Sequence, residues 1–509
     1  MIMSLLLTGN DLTLEDVREV AYKNKKVELH PESKAGVSKC RDYVEKIVSE
    51  GRIVYGITTG FGKFSTIKIP LDQLEELQEN LILSHSAGVG PILCIPETRA
   101  IMLLRINVLA KGHSGIRLST LQTLIEMLNA GIHPQIPEKG SVGASGDLAP
   151  LSHLALVILG KGKAEYKGEI LSGAEAMKKA GIKPVKLKAK EGLALNNGTQ
   201  VMTGIGALAL LRAENLCRIA DICAAMSIDA LLGTHSAFDD LVHKVRPHAG
   251  QTSSARNIYN LLENSELAKS HKYCSNVQDA YSLRCSPQVN GAVRDVLQFV
   301  RKTIEVEINS ATDNPLIFPE EDRVISGGNF HGEPIAFACD MLGIAVSELG
   351  NIADRRAEHL LNPALNRELN PFLAPRPGLD SGFMIAQVTA TSLISENKVL
   401  AHPASIDSIP TSANQEDHVS MGTIAAVKAR NIIENTANVL GIEMTIAAQA
   451  LDTRNCKSSK VIEEIKKEIR KKVDFLDKDR ILSDDIEEMK ILIDSEILSI
   501  LVQKHIDFI

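Results

Sequence analysis

The tripeptide Ala144-Ser145-Gly146, inside "KGSVGASGDLAP" (139–150), has residue types that can do chemistry on themselves. If the loop is tightly bent, the Gly146 backbone nitrogen reaches the Ala144 carbonyl carbon and closes a five-membered ring. Loss of water from that ring and from Ser145 then leaves an exocyclic methylene, a strong electrophile made from the chain itself. Glycine after the serine keeps a Cβ from crowding the attack, and alanine before it leaves the ring accessible. The same small residues also suit a flexible turn, and spacing alone does not choose between the two readings.

Other segments concentrate polar residues and glycine in the same way: "VYGITTGFG" (54–62), "SHSAGVG" (84–90), "LNNGTQ" (195–200), "QDAYSLRC" (278–285), "SGGNFHGEP" (326–334) and "ANQEDHVSM" (413–421). Each is read as standing before an apolar run, hence at a helix N-terminus, where unpaired N–H groups and the helix dipole create positive potential. Several such ends aimed at one place would favour an electron-rich centre.

The elements that must position these segments are helical. Residues 199–233 are rich in Ala and Leu and apolar almost all round, which places that helix inside a large body. Long helical patterns also occupy about 289–310, 334–361, 383–400 and 416–450, while "RVISGGNF" and "GKAEYKGEI" are the best strand signals. Near the C-terminus, "KVIEEIKKEIRKKVDFLD" sets Ile462, Ile465, Ile469 and Val473 on one stripe among charges, an amphipathic helix packed on the body. The expected fold is mainly α: a large elongated helical bundle with a smaller, loop-rich N-terminal part. Residues 1–200 form that N-terminal part with the Ser145 loop, and 201–509 the central and C-terminal bundle.

Composition narrows the function. The 509 residues are 44% hydrophobic, and 56 Lys+Arg against 63 Asp+Glu give a net charge of −7 with no basic block. That argues against nucleic acid or an anionic membrane as partner. The 8 cysteines form no CxxC pair and do not cluster with histidines at a metal-ligand spacing, so no metal is expected and the thiols read as free in a reducing compartment. The N-terminus has no basic leader or small-residue cleavage site, and no run approaches the roughly 20 apolar residues of a spanning helix. A soluble, cytoplasmic protein is expected.

"GSVGASGDLAPLSHLAL" resembles the signature of the aromatic amino acid ammonia-lyase family, and the resemblance extends over nearly the whole chain, all the polar segments included. "SHSAGVG", "NSATDNP", "SGFMIAQVTA", "SENK" and "ANQEDHVSM" are similar to the histidine-acting branch; the phenylalanine branch typically carries glutamine in place of Glu416 and an apolar residue in place of His85. The resemblance implies that Ala144, Ser145 and Gly146 cyclise to a methylidene-imidazolone (MIO) group, with no external cofactor and no metal. It implies elimination of ammonia from L-histidine to give trans-urocanate, the first step of histidine degradation.

It also assigns roles. Tyr55 matches the catalytic tyrosine that takes the β-proton; phenols ionise near pH ~10, so this requires positive potential nearby. Tyr281 matches a second catalytic tyrosine. Asn197 holds the ring oxygen or the amino group, and Arg284 takes the substrate carboxylate in a bidentate fork. His85 and Glu416 address the imidazole, while Gln278 and Phe330 line the pocket. Asp147 and His331 read as structural caps. Asn196 stands where an apolar residue is usual and Asp380 where asparagine is common. Relatives are homotetramers whose sites mix residues from different subunits, and the same is expected here. The alternatives are an MIO-dependent lyase or aminomutase for another aromatic amino acid, against which His85 and Glu416 speak, and an inactive helical scaffold, which would have lost Ser145, Tyr55 or Arg284. A fumarase-type lyase would share the bundle, but its glycine-serine-serine loop has no counterpart.

Overall fold

The computed structural model describes residues 4–271 and 277–509. Cys274, one of the expected free thiols, lies outside them; none of the other seven cysteines is in a disulfide. The chain is mainly α, as its periodicity predicts, with twenty α-helices among the described residues. The five long patterns correspond to helices at Gln200–Ala230, Ser286–Glu307, Glu333–Leu361, Met384–Leu400 and Gly422–Thr453.

Local chemistry explains where they begin and what they bury. Gln200–Ala230 has no proline and almost no solvent-facing side, and its first N–H groups, on Val201 and Met202, donate to Asp147 Oδ2 at 2.9 and 3.0 Å. Lys460–Arg470 starts on a Ser459 cap, and its apolar stripe of Ile462, Ile465 and Ile469 is fully buried. Each such side chain contributes about 1.5–3 kcal/mol relative to exposure. Val473 is buried just beyond the end of that helix.

The expectation that no run approaches the apolar length of a spanning helix does not hold. Glu333–Leu361 contains an 18-residue window of mean hydropathy 1.4, long and apolar enough by composition to cross a membrane, although 72% of that window is buried inside the structure.

The strands are short and form four small sheets among the described residues. "GKAEYKGEI" is the hairpin Lys163–Tyr166 with Glu169–Ser172, joined by Ile132–Pro134; "RVI" pairs as Arg323–Ile325 with Leu316–Phe318. A parallel pair, Leu5–Leu7 with Val27–Leu29, and an antiparallel pair, Val89–Ile92 with Pro137–Lys139, were not expected from the sequence. The second pair corrects the reading of 84–90. "SHSAGVG" lies at the C-terminal end of the helix Leu74–His85 and leads into a strand, and "VYGITTGFG" opens only onto the short 3-10 turn Gly62–Phe64.

The residues form two compact units. The first holds 1–209, 301–340 and 403–427, and the second 210–300, 341–402 and 428–509. The expected boundary near residue 200 lies close to the end of the first segment, but the first unit also takes in two later stretches of chain.

Candidate active site

The first unit forms a half-open cavity of about 1340 Å³. Six of the seven polar segments supply its wall: Tyr55 and Gly60–Gly62, His85, Ala144 and Ser145, Asn197, Phe330 and His331, and Ser412–His418 without Asn414. Four of these segments run directly into the N-termini of Leu148–Ile158, Gln200–Ala230, Glu333–Leu361 and Gly422–Thr453. Their helix dipoles contribute positive potential at that end.

Ser145 sits at the meeting point. Its carbonyl oxygen accepts from Asn197 Nδ2 at 2.9 Å, and its hydroxyl donates to Glu416 Oε1 at 2.8 Å. Glu416 Oε2 is held by Thr411 Oγ1 at 2.6 Å and Ser412 Oγ at 2.8 Å. The Tyr55 hydroxyl accepts from the Gly62 N–H at 3.2 Å. His85 pairs through Nδ1 with Ser84 Oγ at 3.1 Å. Burial holds its imidazole pKa below the usual value, although the Glu416 carboxylate pulls the other way.

The loop around Ser145 is fixed from behind. Gly146 has φ +69°, and a Cβ there would stand 2.2 Å from the Gly198 carbonyl oxygen, so glycine is demanded by the backbone bridge between Gly146 and Gly198. This adds a steric reason to the chemical one read from the sequence. Ser141 Oγ donates to the Gly146 carbonyl at 3.2 Å. From the far end of the unit's sequence, Met421 N donates to Val142 O at 2.8 Å and Ser420 Oγ to Gly143 O at 2.9 Å.

Asp147 caps a different helix from the one it precedes. It is wholly buried and accepts from Val201, Met202, Ser141 and Thr423, joining three distant stretches of chain. Burial pushes its carboxyl pKa up, against the pull of those four donors.

Behind Asn197 lies Arg105, fully buried, donating to Asn197 O at 2.8 Å, to Gln200 Oε1 at 2.6 Å and to Ala194 O. Burial brings its pKa down to about 10, so the guanidinium remains charged at neutral pH. Arg105, Thr411 and Ser412 were not among the residues expected from the sequence. The signal for the first was an arginine directly after the apolar run 100–104 in the helix Ile95–Ala110; nothing in the pattern marked the two hydroxyls.

Three expected site residues are placed elsewhere. Gln278, Tyr281 and Arg284 belong to the second unit and do not line the cavity. Arg284 donates to Gln278 Oε1 at 3.1 Å and to Asp279 O at 3.0 Å, and lies 4.6 Å over the ring of Tyr281, which is 72% exposed. Both departures noted in the sequence lie off the cavity wall. Asn196 is buried and donates to Ser152 Oγ at 3.1 Å, and Asp380 forms a two-pronged ion pair with Arg376 at 2.7 and 2.8 Å.

Spacing also hid one cluster of metal-binding residue types. His331, Glu333 and His418 each present a ligand atom within 4.8 Å of the others, and Glu333 Oε2 lies 4.0 Å from each ring. A zinc about 2.1 Å from its ligands draws them closer together than this. His331 Nδ1 already accepts the Glu333 N–H at 3.3 Å, so it caps the helix that begins there.

Comparison with known proteins bears on this geometry. Residues 12–471 match the aromatic amino acid lyases. The chain belongs to that family. It is 55% identical over 486 residues to a histidine ammonia-lyase of Alkaliphilus metalliredigens, covering 94% of each chain. A crystal structure of histidine ammonia-lyase from Trypanosoma cruzi superposes with a TM-score of 0.92 at 44% identity, over 99% of this chain and 96% of that one. A tyrosine aminomutase from Streptomyces globisporus superposes with 0.93 at 40% identity, over 99% of both. This aromatic amino acid lyase therefore shares its fold with enzymes that differ in substrate and outcome, and its own cavity wall has to decide among them.

Proposed function

We propose that this lyase is a carbon–nitrogen lyase for L-histidine, releasing ammonia and trans-urocanate, and that Ala144, Ser145 and Gly146 supply its MIO group. The observation that carries the reading is Ser145 in the cavity wall, its carbonyl bonded to Asn197 and its hydroxyl to Glu416. The residues present fit the group: Asn197 offers a donor to the oxygen that becomes the ring carbonyl, and the Gly146–Gly198 approach holds the bend. The group supplies an electrophilic methylene that draws electron density from the substrate and turns its ammonium into a leaving group.

The chain's own residues do the rest. Tyr55, whose hydroxyl accepts from the Gly62 N–H in the cavity wall, takes the β-proton. Glu416 accepts the imidazole N–H, and neutral His85 makes the second polar contact to the ring. Phe330 packs against the substrate. Mixing the pure protein with L-histidine and following the ultraviolet absorbance of urocanate tests the assignment; no absorbance rise with histidine, beside turnover of tyrosine or phenylalanine, would overturn it.

Gln278, Tyr281 and Arg284 complete the site from a second copy of the chain in a homotetramer, with Arg284 on the substrate carboxylate. Their absence from the cavity wall and the exposure of Tyr281 support this. Tyr55→Phe and Arg284→Met variants should each be nearly inactive alone, yet regain part of the activity when unfolded and reassembled together, because some hybrid sites then carry both native residues. Mixtures no more active than either parent would refute sharing.

A further inference from the structure

The bond between Ser145 and Glu416 belongs to the chain before it cyclises, since forming the MIO group removes that hydroxyl. We propose that Glu416 is also a positioning residue for the self-cyclisation of Ala144-Ser145-Gly146, holding the Ser145 hydroxyl in the orientation from which it departs. The proposal deepens the functional reading above and rests on it.

The chemistry balances without an oxidant or other co-reactant. The Gly146 nitrogen bonds to the Ala144 carbonyl carbon. The carbonyl oxygen leaves as water with the two amide protons of Gly146 and Ser145, giving a carbon–nitrogen double bond. The Ser145 Cα proton and Cβ hydroxyl then leave as a second water, giving the methylene. This second loss requires the Cβ–O bond to align with the electron pair released at Cα. A free serine side chain spreads over three staggered rotamers; a hydrogen bond to a fixed acceptor selects one.

Glu416 is such a fixed acceptor. Thr411 Oγ1 and Ser412 Oγ hold Oε2, and Thr411 and Glu416 pair through their backbones at 2.9 and 3.4 Å. The turn between them places Ser412, Ala413 and Asn414 at φ +54°, +55° and +63°. Left-handed conformations at non-glycine residues are costly and persist where surrounding structure imposes them. When the hydroxyl has gone, Oε1 loses its donor and faces the cavity as an acceptor for a substrate N–H. One oxygen thus serves maturation first and recognition afterwards.

Intact mass of the denatured chain tests this independently of activity. Pulse-labelled wild type should become lighter by two waters. Glu416→Gln keeps an acceptor oxygen without the charge and should mature only a few-fold more slowly. Glu416→Leu should lose the second water about ten- to a hundredfold more slowly, the worth of a hydrogen bond to a charged group. If Glu416→Leu does not fold, Thr411→Val with Ser412→Ala decides, since it frees the carboxylate without removing it; slowed maturation is again expected. A folded Glu416→Leu chain, or failing that the Thr411/Ser412 pair, maturing at the wild-type rate would overturn the proposal. A wild type at its full encoded mass would instead overturn the functional reading on which it rests.

Discussion

Ser145→Ala should fold and assemble, show no near-ultraviolet MIO absorbance, and lose roughly 10⁴–10⁶-fold in kcat/KM, the scale seen when a group that bonds covalently to substrate is removed. The structure explains why folding should survive. Ser145 contributes a carbonyl to Asn197 and a hydroxyl to Glu416, and only the second is lost on substitution. Asp147, Gly146 and the Ser420–Thr423 segment hold the loop without the Ser145 side chain. Glu416 keeps Thr411 and Ser412 as donors, so its charge is not left alone. Circular dichroism, sedimentation and turnover measured on one preparation separate the two effects. Full activity in that variant would remove the hydroxyl from the mechanism.

His85→Leu combined with Glu416→Gln should collapse the preference for histidine over phenylalanine. A site built to hydrogen-bond a polar group rejects the analogue lacking it by about 10⁴-fold, because its own polar atoms are left unpaired. Both side chains line the cavity, and the Glu416 charge acts on the His85 ring. Burial keeps that ring neutral to lower pH than an ordinary histidine, which has a pKa near ~6.5, so at neutral pH it can accept as well as donate. Histidine turnover should fall severely in the double variant, while near-ultraviolet absorbance of purified protein remains, since the amide introduced by Glu416→Gln still offers an acceptor oxygen to Ser145. Comparing kcat/KM for the two amino acids in wild type and variant checks this. An unchanged ratio would mean that neither residue reads the ring and would leave the aminomutase-like fold without a discriminating feature.

The long helices were legible because each repeats apolar residues over many turns, as in 199–233. Short strands such as Leu5–Leu7 were not, because three residues show no period and their pairing is decided by distant chain. From residue pattern alone the cavity wall was legible only as segments; the family resemblance was what named Tyr55, His85, Asn197, Phe330 and Glu416 one by one. Glycine and polar residues at 143–150 or 413–421 announce a special backbone, but convergence on one cavity depends on packing between stretches far apart in sequence. Arg105 shows the limit well. Its partners, Ala194, Asn197 and Gln200, lie about ninety residues away, and no local pattern names them. The error over "SHSAGVG" has the same root: a polar-glycine stretch marks a helix end, and its direction is set by which side carries the helical run. At 84–90 that run comes before it, as Leu74–His85.

The ties from Ser420, Met421 and Thr423 to the Ser145 loop have a consequence for biosynthesis. A chain leaves the ribosome from its N-terminus, so Ser145 emerges long before the residues that close the loop from the other side. Until residue 423 has been translated, the loop lacks its bonds to Val142, Gly143 and Asp147, and Glu416 has only just appeared. The cyclisation proposed above would thereby wait until most of the polypeptide has been made. On that proposal, a nascent chain stalled before that point would still carry an ordinary serine, and no reactive methylene would form while its shelter is being made.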